Sequence, residues 1–114
     1  MFEAIEEFRQ HLSAGEVLIG SGLSFTDPQV ADALAESVDF FWIDLEHSAM
    51  SPEAMRGHLL AARSRRTAVV VRVPSSDTAF IKPVIDAGAP GVVVPQVKSV
   101  EEVRRIVADC RYPP

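Results

Sequence analysis

Apolar positions along the chain switch repeatedly between helical spacing and short continuous runs. Phe2, Ile5, Phe8 and Leu12 recur at helical spacing, and Gly15 suits the stop that follows. Val17-Leu18-Ile19-Gly20 is a continuous run that predicts a short buried strand. Asp27-Pro28 pairs an N-cap residue with proline at the first helical position, and Val30, Ala31, Leu34 and Ala35 carry that helix. Phe40 to Asp44 predicts a second strand, rich in aromatic residues. Ser51-Pro52-Glu53 opens another helix, with Met55, Leu59 and Ala62 on one face. Ala68 to Val73 predicts a third strand, closed by Pro74. Asp77 can cap the next helix, which ends near Gly88; Pro83 inside it predicts a kink or a late start. Gly91 to Val94 predicts a fourth strand, closed by Pro95. Ser99 and Glu102 fit a capping box, with Val103, Ile106, Val107 and Cys110 as the buried stripe.

The order is therefore one helix followed by four strand–helix units. Continuous apolar strands alternating with helices predict a parallel sheet covered by helices. No linker, low-complexity segment or domain boundary interrupts the pattern. Two architectures accommodate it. One is a small doubly wound sheet. The other is half of an eight-stranded barrel, a fold that normally takes ~250 residues. The length of 114 residues favours the first, and the motifs below favour the second.

Composition narrows the function classes. A hydrophobic content of 47% supports one domain with a real core. The net charge of −5 argues against nucleic acid and anionic membrane surfaces as partners. No apolar run approaches the roughly 18 residues of a membrane span. The N-terminus is acidic and amphipathic, unlike the basic start of a secretory signal. The single cysteine cannot form an internal disulfide, and a cytoplasmic location is expected.

The chemistry-bearing residues cluster at predicted strand ends. Asp44-Leu45-Glu46-His47 follows the second strand directly, where parallel α/β folds place their active sites. A period of two puts Phe40, Trp42 and Asp44 on one face. Burying a lone carboxylate costs on the order of several kcal/mol, so Asp44 needs a partner. His47 is a natural one, since a carboxylate can fix the imidazole tautomer. The alternative is that both residues simply cap the loop. Arg72, among three valines, needs an anion: a substrate carboxylate, an oxyanion, or Asp44 or Glu46 on the neighbouring strand. Glu46 could orient the loop, serve a metal-bound water, or stand solvated. The Asp-x-Glu-His spacing could also hold a metal directly, although one such cluster is a weak signal. Lys82 falls in a helix and Lys98 in a loop, which excludes an imine-forming lysine from this chain's strands. His11 and His58 lie on helices and read as surface residues, and Cys110 as core packing. Gly20-Ser21-Gly22 is too short to be a phosphate loop, and residues 63–66 read as a solvated helix end.

The combination resembles the HpcH/HpaI aldolase and citrate lyase superfamily, in particular its class II pyruvate aldolases. Trp42-Ile43-Asp44-Leu45-Glu46-His47 is similar to that family's Asp-x-Glu-His strand end. Val71-Arg72-Val73-Pro74 with Asp77 is similar to its next strand and loop. Ile81 to Ala89, Val93 to Val97, and Cys110-Arg111-Tyr112-Pro113-Pro114 continue the likeness in order. The resemblance implies an incomplete barrel domain over residues 1–114: a partial TIM (β/α)8 barrel made of the N-terminal helix and the first four βα units. It implies a metal-dependent lyase that joins or splits pyruvate and an aldehyde, with magnesium, manganese or cobalt as Lewis acid. His47 would be the acid–base residue, Asp44 would orient and tune it, and Arg72 would bind substrate and stabilise the enolate oxygen. Glu46 would assist from behind or through a metal-bound water. The family's metal-binding Glu and Asp lie on later strands, so the expected ligands fall beyond Pro114. The complete enzyme is expected to be a homo-oligomer acting on small oxo acids and aldehydes. The competing reading is a non-catalytic truncated α/β module for binding or assembly. The chain departs from the pattern at Ser21-Gly22, Ser48-Ala49 and Pro90, which bear on substrate contacts.

Overall fold

The computed structural model describes residues 3–113, so the expected place of Phe2 on the first helical face lies outside the described residues. Helix α1 spans Glu3–Ser13, strand β1 Gly20–Leu23 and helix α2 Pro28–Leu34, which runs into a 3₁₀ turn at Ala35–Ser37. Strand β2 is Phe40–Asp44, α3 Pro52–Ser64, β3 Ala68–Arg72, α4 Thr78–Asp86, β4 Val92–Val93 and α5 Val100–Asp109. The helix starts are set locally. Asp27, Ser51, Asp77 and Ser99 each accept a main-chain N–H in the first turn of the helix they precede. Glu102 completes its cap one residue further back than expected, accepting from the Lys98 N–H at 2.8 Å.

The four strands are all parallel and stand in the order β1-β2-β3-β4. Alternation splits their side chains between two faces. Phe41, Ile43, Val69 and Val71 are buried in one cluster with Ala31 of α2, Met55 and Leu59 of α3, Ile81 and Val84 of α4, and Ile106 of α5. Phe40, Trp42, Asp44, Val70 and Arg72 point the other way and are only half-buried. α1 closes the amino-terminal end of that second face, where Phe8 meets Phe40 edge-on at 5.2 Å. Helices α2 to α5 on one face and a strand order that never reverses are the winding of a barrel, not of a doubly wound sheet.

Several local expectations are corrected. β1 begins at Gly20 and ends at Leu23, whereas the run from Val17 to Gly20 was the expected strand; Val17 is 89% exposed. The reason lies on β2. Gly20 pairs with Phe40, and a Cβ on Gly20 would stand 2.5 Å from the Phe40 ring. A strand carrying ordinary side chains at that level would collide with the ring, so pairing starts where glycine permits it. β4 shrinks to two residues. On α5 only Ile106 is buried, while Val103 and Val107 are exposed, because the helix meets its neighbours along a narrower stripe than its valines offer. α4 runs through Pro83 from Thr78, with no late start. His58, expected at the surface, is completely buried on α3.

Candidate functional site

The register of β2 against β3 sets Asp44 directly beside Arg72 at the carboxyl end of the sheet. The Arg72 guanidinium grips the Asp44 carboxylate with two bonds: Nε donates to Oδ1 at 3.1 Å and Nη2 to Oδ2 at 2.6 Å. Oδ1 also accepts the main-chain N–H groups of Glu46 (2.8 Å) and His47 (3.1 Å). Arg72 holds the Asp44 carboxyl well below the usual carboxylate range, with the two N–H donors adding to the effect against partial burial. The same pairing raises Arg72 above its ordinary value.

Glu46 links this pair to the histidine. Its side chain is only 14% exposed, and Oε1 lies 3.5 Å from Arg72 Nε and 3.1 Å from His47 Nε2. His47 itself is 71% exposed at the rim. The expected Asp44–His47 side-chain pairing is therefore replaced: Asp44 touches His47 only through its main chain, and Glu46 holds the imidazole. The cause is geometric, since Arg72 occupies the strand position next to Asp44 and its fork takes both carboxylate oxygens. Ser48 locks the loop by donating to the Asp44 carbonyl and accepting the Met50 N–H.

The floor and walls are also defined. Trp42, two residues before Asp44, lies under Arg72, with the guanidinium carbon 5.6 Å from the ring centroid. Arg72 Nη1 has no hydrogen-bond partner among the described residues, which leaves a donor edge for an oxyanion. Among the described residues no three His, Cys, Asp or Glu side chains converge as metal ligands. Asp44 and Glu46 are both committed to Arg72 or His47, so the residues of this chain do not by themselves fit a divalent metal.

Sequence reasoning missed His58. Its Nε2 donates to the Phe25 carbonyl at 2.6 Å, which anchors the loop leaving β1, and its Nδ1 is buried without a partner. Its spacing of three from Met55 and four from Ala62, on the same stripe, was the available signal. Lys82 and Lys98 stay outside the rim pair, on a helix and in a loop.

Known proteins are similar to this chain over nearly its whole length. A hydroxypyruvate/pyruvate aldolase of Roseobacter denitrificans is 34% identical over 96% of this chain and 43% of its own length. A 4-hydroxy-2-oxovalerate aldolase of Rhodococcus jostii is 34% identical over all of this chain and 45% of its own length. The chain thus spans less than half of the curated relatives it matches. The crystal structure of an HpcH/HpaI aldolase from Desulfitobacterium hafniense superposes with a TM-score of 0.81 at 32% identity, covering 93% of this chain and 42% of that one. The four-stranded sheet accordingly corresponds to part of that family's TIM barrel. With the HpcH/HpaI aldolase/citrate lyase family model matching residues 23–114, from the end of β1 through α5, the chain belongs to that family.

Proposed function

We propose that this chain supplies part of the active site of a pyruvate-type aldolase, which cleaves or forms hydroxy-2-oxo acids from pyruvate and an aldehyde. The observation that carries the reading is the continuous chain of contacts Asp44–Arg72–Glu46–His47 at the carboxyl rim. In the cleavage direction, the His47 imidazole takes the proton of the aldol hydroxyl as the carbon–carbon bond breaks. The aldehyde leaves, and the electron pair passes to the pyruvate portion as an enolate. The free edge of Arg72 donates to the enolate oxygen. Glu46 steadies the imidazolium that forms, and Asp44 fixes the guanidinium in its plane. The family generally depends on a divalent metal. Magnesium, manganese or cobalt would act as Lewis acid toward the oxo acid. Residues 3–113 bring together no group of three His, Cys, Asp or Glu side chains to hold it.

The test is a chimera. Residues 3–113 replace the matching segment of the Roseobacter denitrificans aldolase, and pyruvate release from a hydroxy-oxo acid is measured. Turnover within about tenfold of the parent is expected, with His47→Ala and Arg72→Lys each lowering kcat by roughly 10²-fold or more. A folded chimera with no turnover, or full activity in both variants, overturns the reading. The isolated chain should stay below ~1 turnover per second with manganese or cobalt added.

A further inference from the structure

Beside the Asp44–Arg72 pair lies a second concavity that the proposed chemistry leaves unused. It encloses about 290 Å³ between the loops that follow β2, β3 and β4. Glu46, Pro74, Ser75, Pro95, Gln96 and Lys98 line it. Glu46 lines it and also contacts Arg72 and His47, so the concavity adjoins those contacts.

Gln96 is strained there. Its φ is +54°, a region that crowds the Cβ of an L residue. Arg66 is the other non-glycine residue with positive φ, at +57°, and its reason is plain. It ends α3 in a left-handed cap, with Arg66 N–H donating to the Arg63 carbonyl and Thr67 N–H to the Ala62 carbonyl. Gln96 ends no helix. It follows Pro95 at the rim of β4, in a loop already fixed by the Lys98–Glu102 and Ser99–Glu102 bonds. Backbone strain without a local structural cause concentrates where a side chain is held for a ligand.

We infer that this concavity is a binding subsite for the neutral, hydroxylated end of the substrate, and that the Gln96 amide is its specificity-determining group. The inference rests on the aldolase reading, which makes that end the aldehyde-derived portion. The lining dictates the chemical class. Gln96 offers a donor and an acceptor, Ser75 a hydroxyl, and Pro74 and Pro95 apolar walls. The charged groups are already matched: Glu46 lies against Arg72, and Glu102 has Lys98 and Arg105 beside it, so recognition falls to the neutral polar groups. A polyhydroxylated carbon chain satisfies these groups, while a purely alkyl one does not.

The ¹⁵N-labelled chain, titrated separately with erythritol and with pyruvate, tests this. Erythritol should shift the Gln96 side-chain amide and the Ser75 and Ser76 main-chain amides saturably. Gln96→Met and Gln96→Gly should each raise its apparent Kd at least fivefold, with spectra unchanged elsewhere. Glycine keeps the positive φ and removes only the amide, so a retained Kd in Gln96→Gly overturns the assignment. So does the absence of a saturable shift in the unmodified chain. Pyruvate reports separately, through the Arg72 Nε–H signal. If pyruvate moves that signal while erythritol leaves the Gln96 loop unmoved, the subsite falls and the aldolase reading stands. If erythritol behaves as expected and the folded chimera gives no turnover, the aldolase reading falls and the polyol site stands.

Discussion

The two faces of the sheet are built from the same strands and live under different rules. On β2, Phe41 and Ile43 are fully buried beneath the helices, while Phe40, Trp42 and Asp44 on the alternate positions are half-buried. On β3, Val69 and Val71 repeat the first pattern and Val70 and Arg72 the second. The covered face is interchangeable hydrophobic volume, whose value is area removed from water. The other face carries the ion pair, the aromatic floor and the rim. One residue of register shift would exchange them and place Arg72 in the core. Stability and chemistry are thus separated by a period of two, within strands of five residues.

Substitutions can break that division. Phe41→Ala should cost about 3–5 kcal/mol, since it opens a cavity in the covered face. The neighbouring Trp42→Ala should cost clearly less despite deleting a larger side chain. Urea unfolding midpoints of the two variants decide, and equal losses would show that both faces support the fold alike. Arg72→Met should cost roughly 1–3 kcal/mol, because it strips a half-buried carboxylate of its charged donors. The Asp44 carboxyl should then titrate nearer its ordinary value, as carbon-detected NMR would report.

Acid sharpens the same contrast. The folded Asp44 binds its proton at lower pH than the unfolded chain, so the unfolded state holds more protons in between. Its contribution is fully present above the ordinary value of 3.8 and drains away as pH falls through the depressed folded value. Arg72→Met should flatten that acid limb of the stability curve and leave the neutral region parallel. The smallest effect concerns Gln96→Gly. Relief of the positive φ is worth about 1–2 kcal/mol, and glycine's greater unfolded freedom takes back about 0.5–1. A slight net stabilisation follows, and a loss like that of an ordinary exposed position would mean that Gln96 is not strained.

What could be read from the chain follows the range of the forces involved. Asp27, Ser51, Asp77 and Ser99 were legible as caps because their partners lie two or three residues away. β2 and β3 were legible because their apolar runs are unbroken. β1 was not, since Gly-Ser-Gly-Leu announces no strand; its place is decided by the Phe40 ring twenty positions on. At the site, the grouping of Asp44, Glu46, His47 and Arg72 near one strand end could be read from spacing. Which carboxylate holds His47 could not, because it turns on how Arg72's fork lies across β2. His58 was misread because its polarity outweighed its position among Met55, Leu59 and Ala62.

The strand order has a consequence for synthesis. Each strand finds its mate in the strand made just before it: Phe40 beside Gly20, Ala68 beside Phe40, Val92 beside Val71. Among the described strands, β2, β3 and β4 each pair with the strand made immediately before. At the ~5–20 residues per second of translation, each new unit emerges onto a template that is already in place. A ribosome can therefore lay this sheet down in the order in which it reads the message.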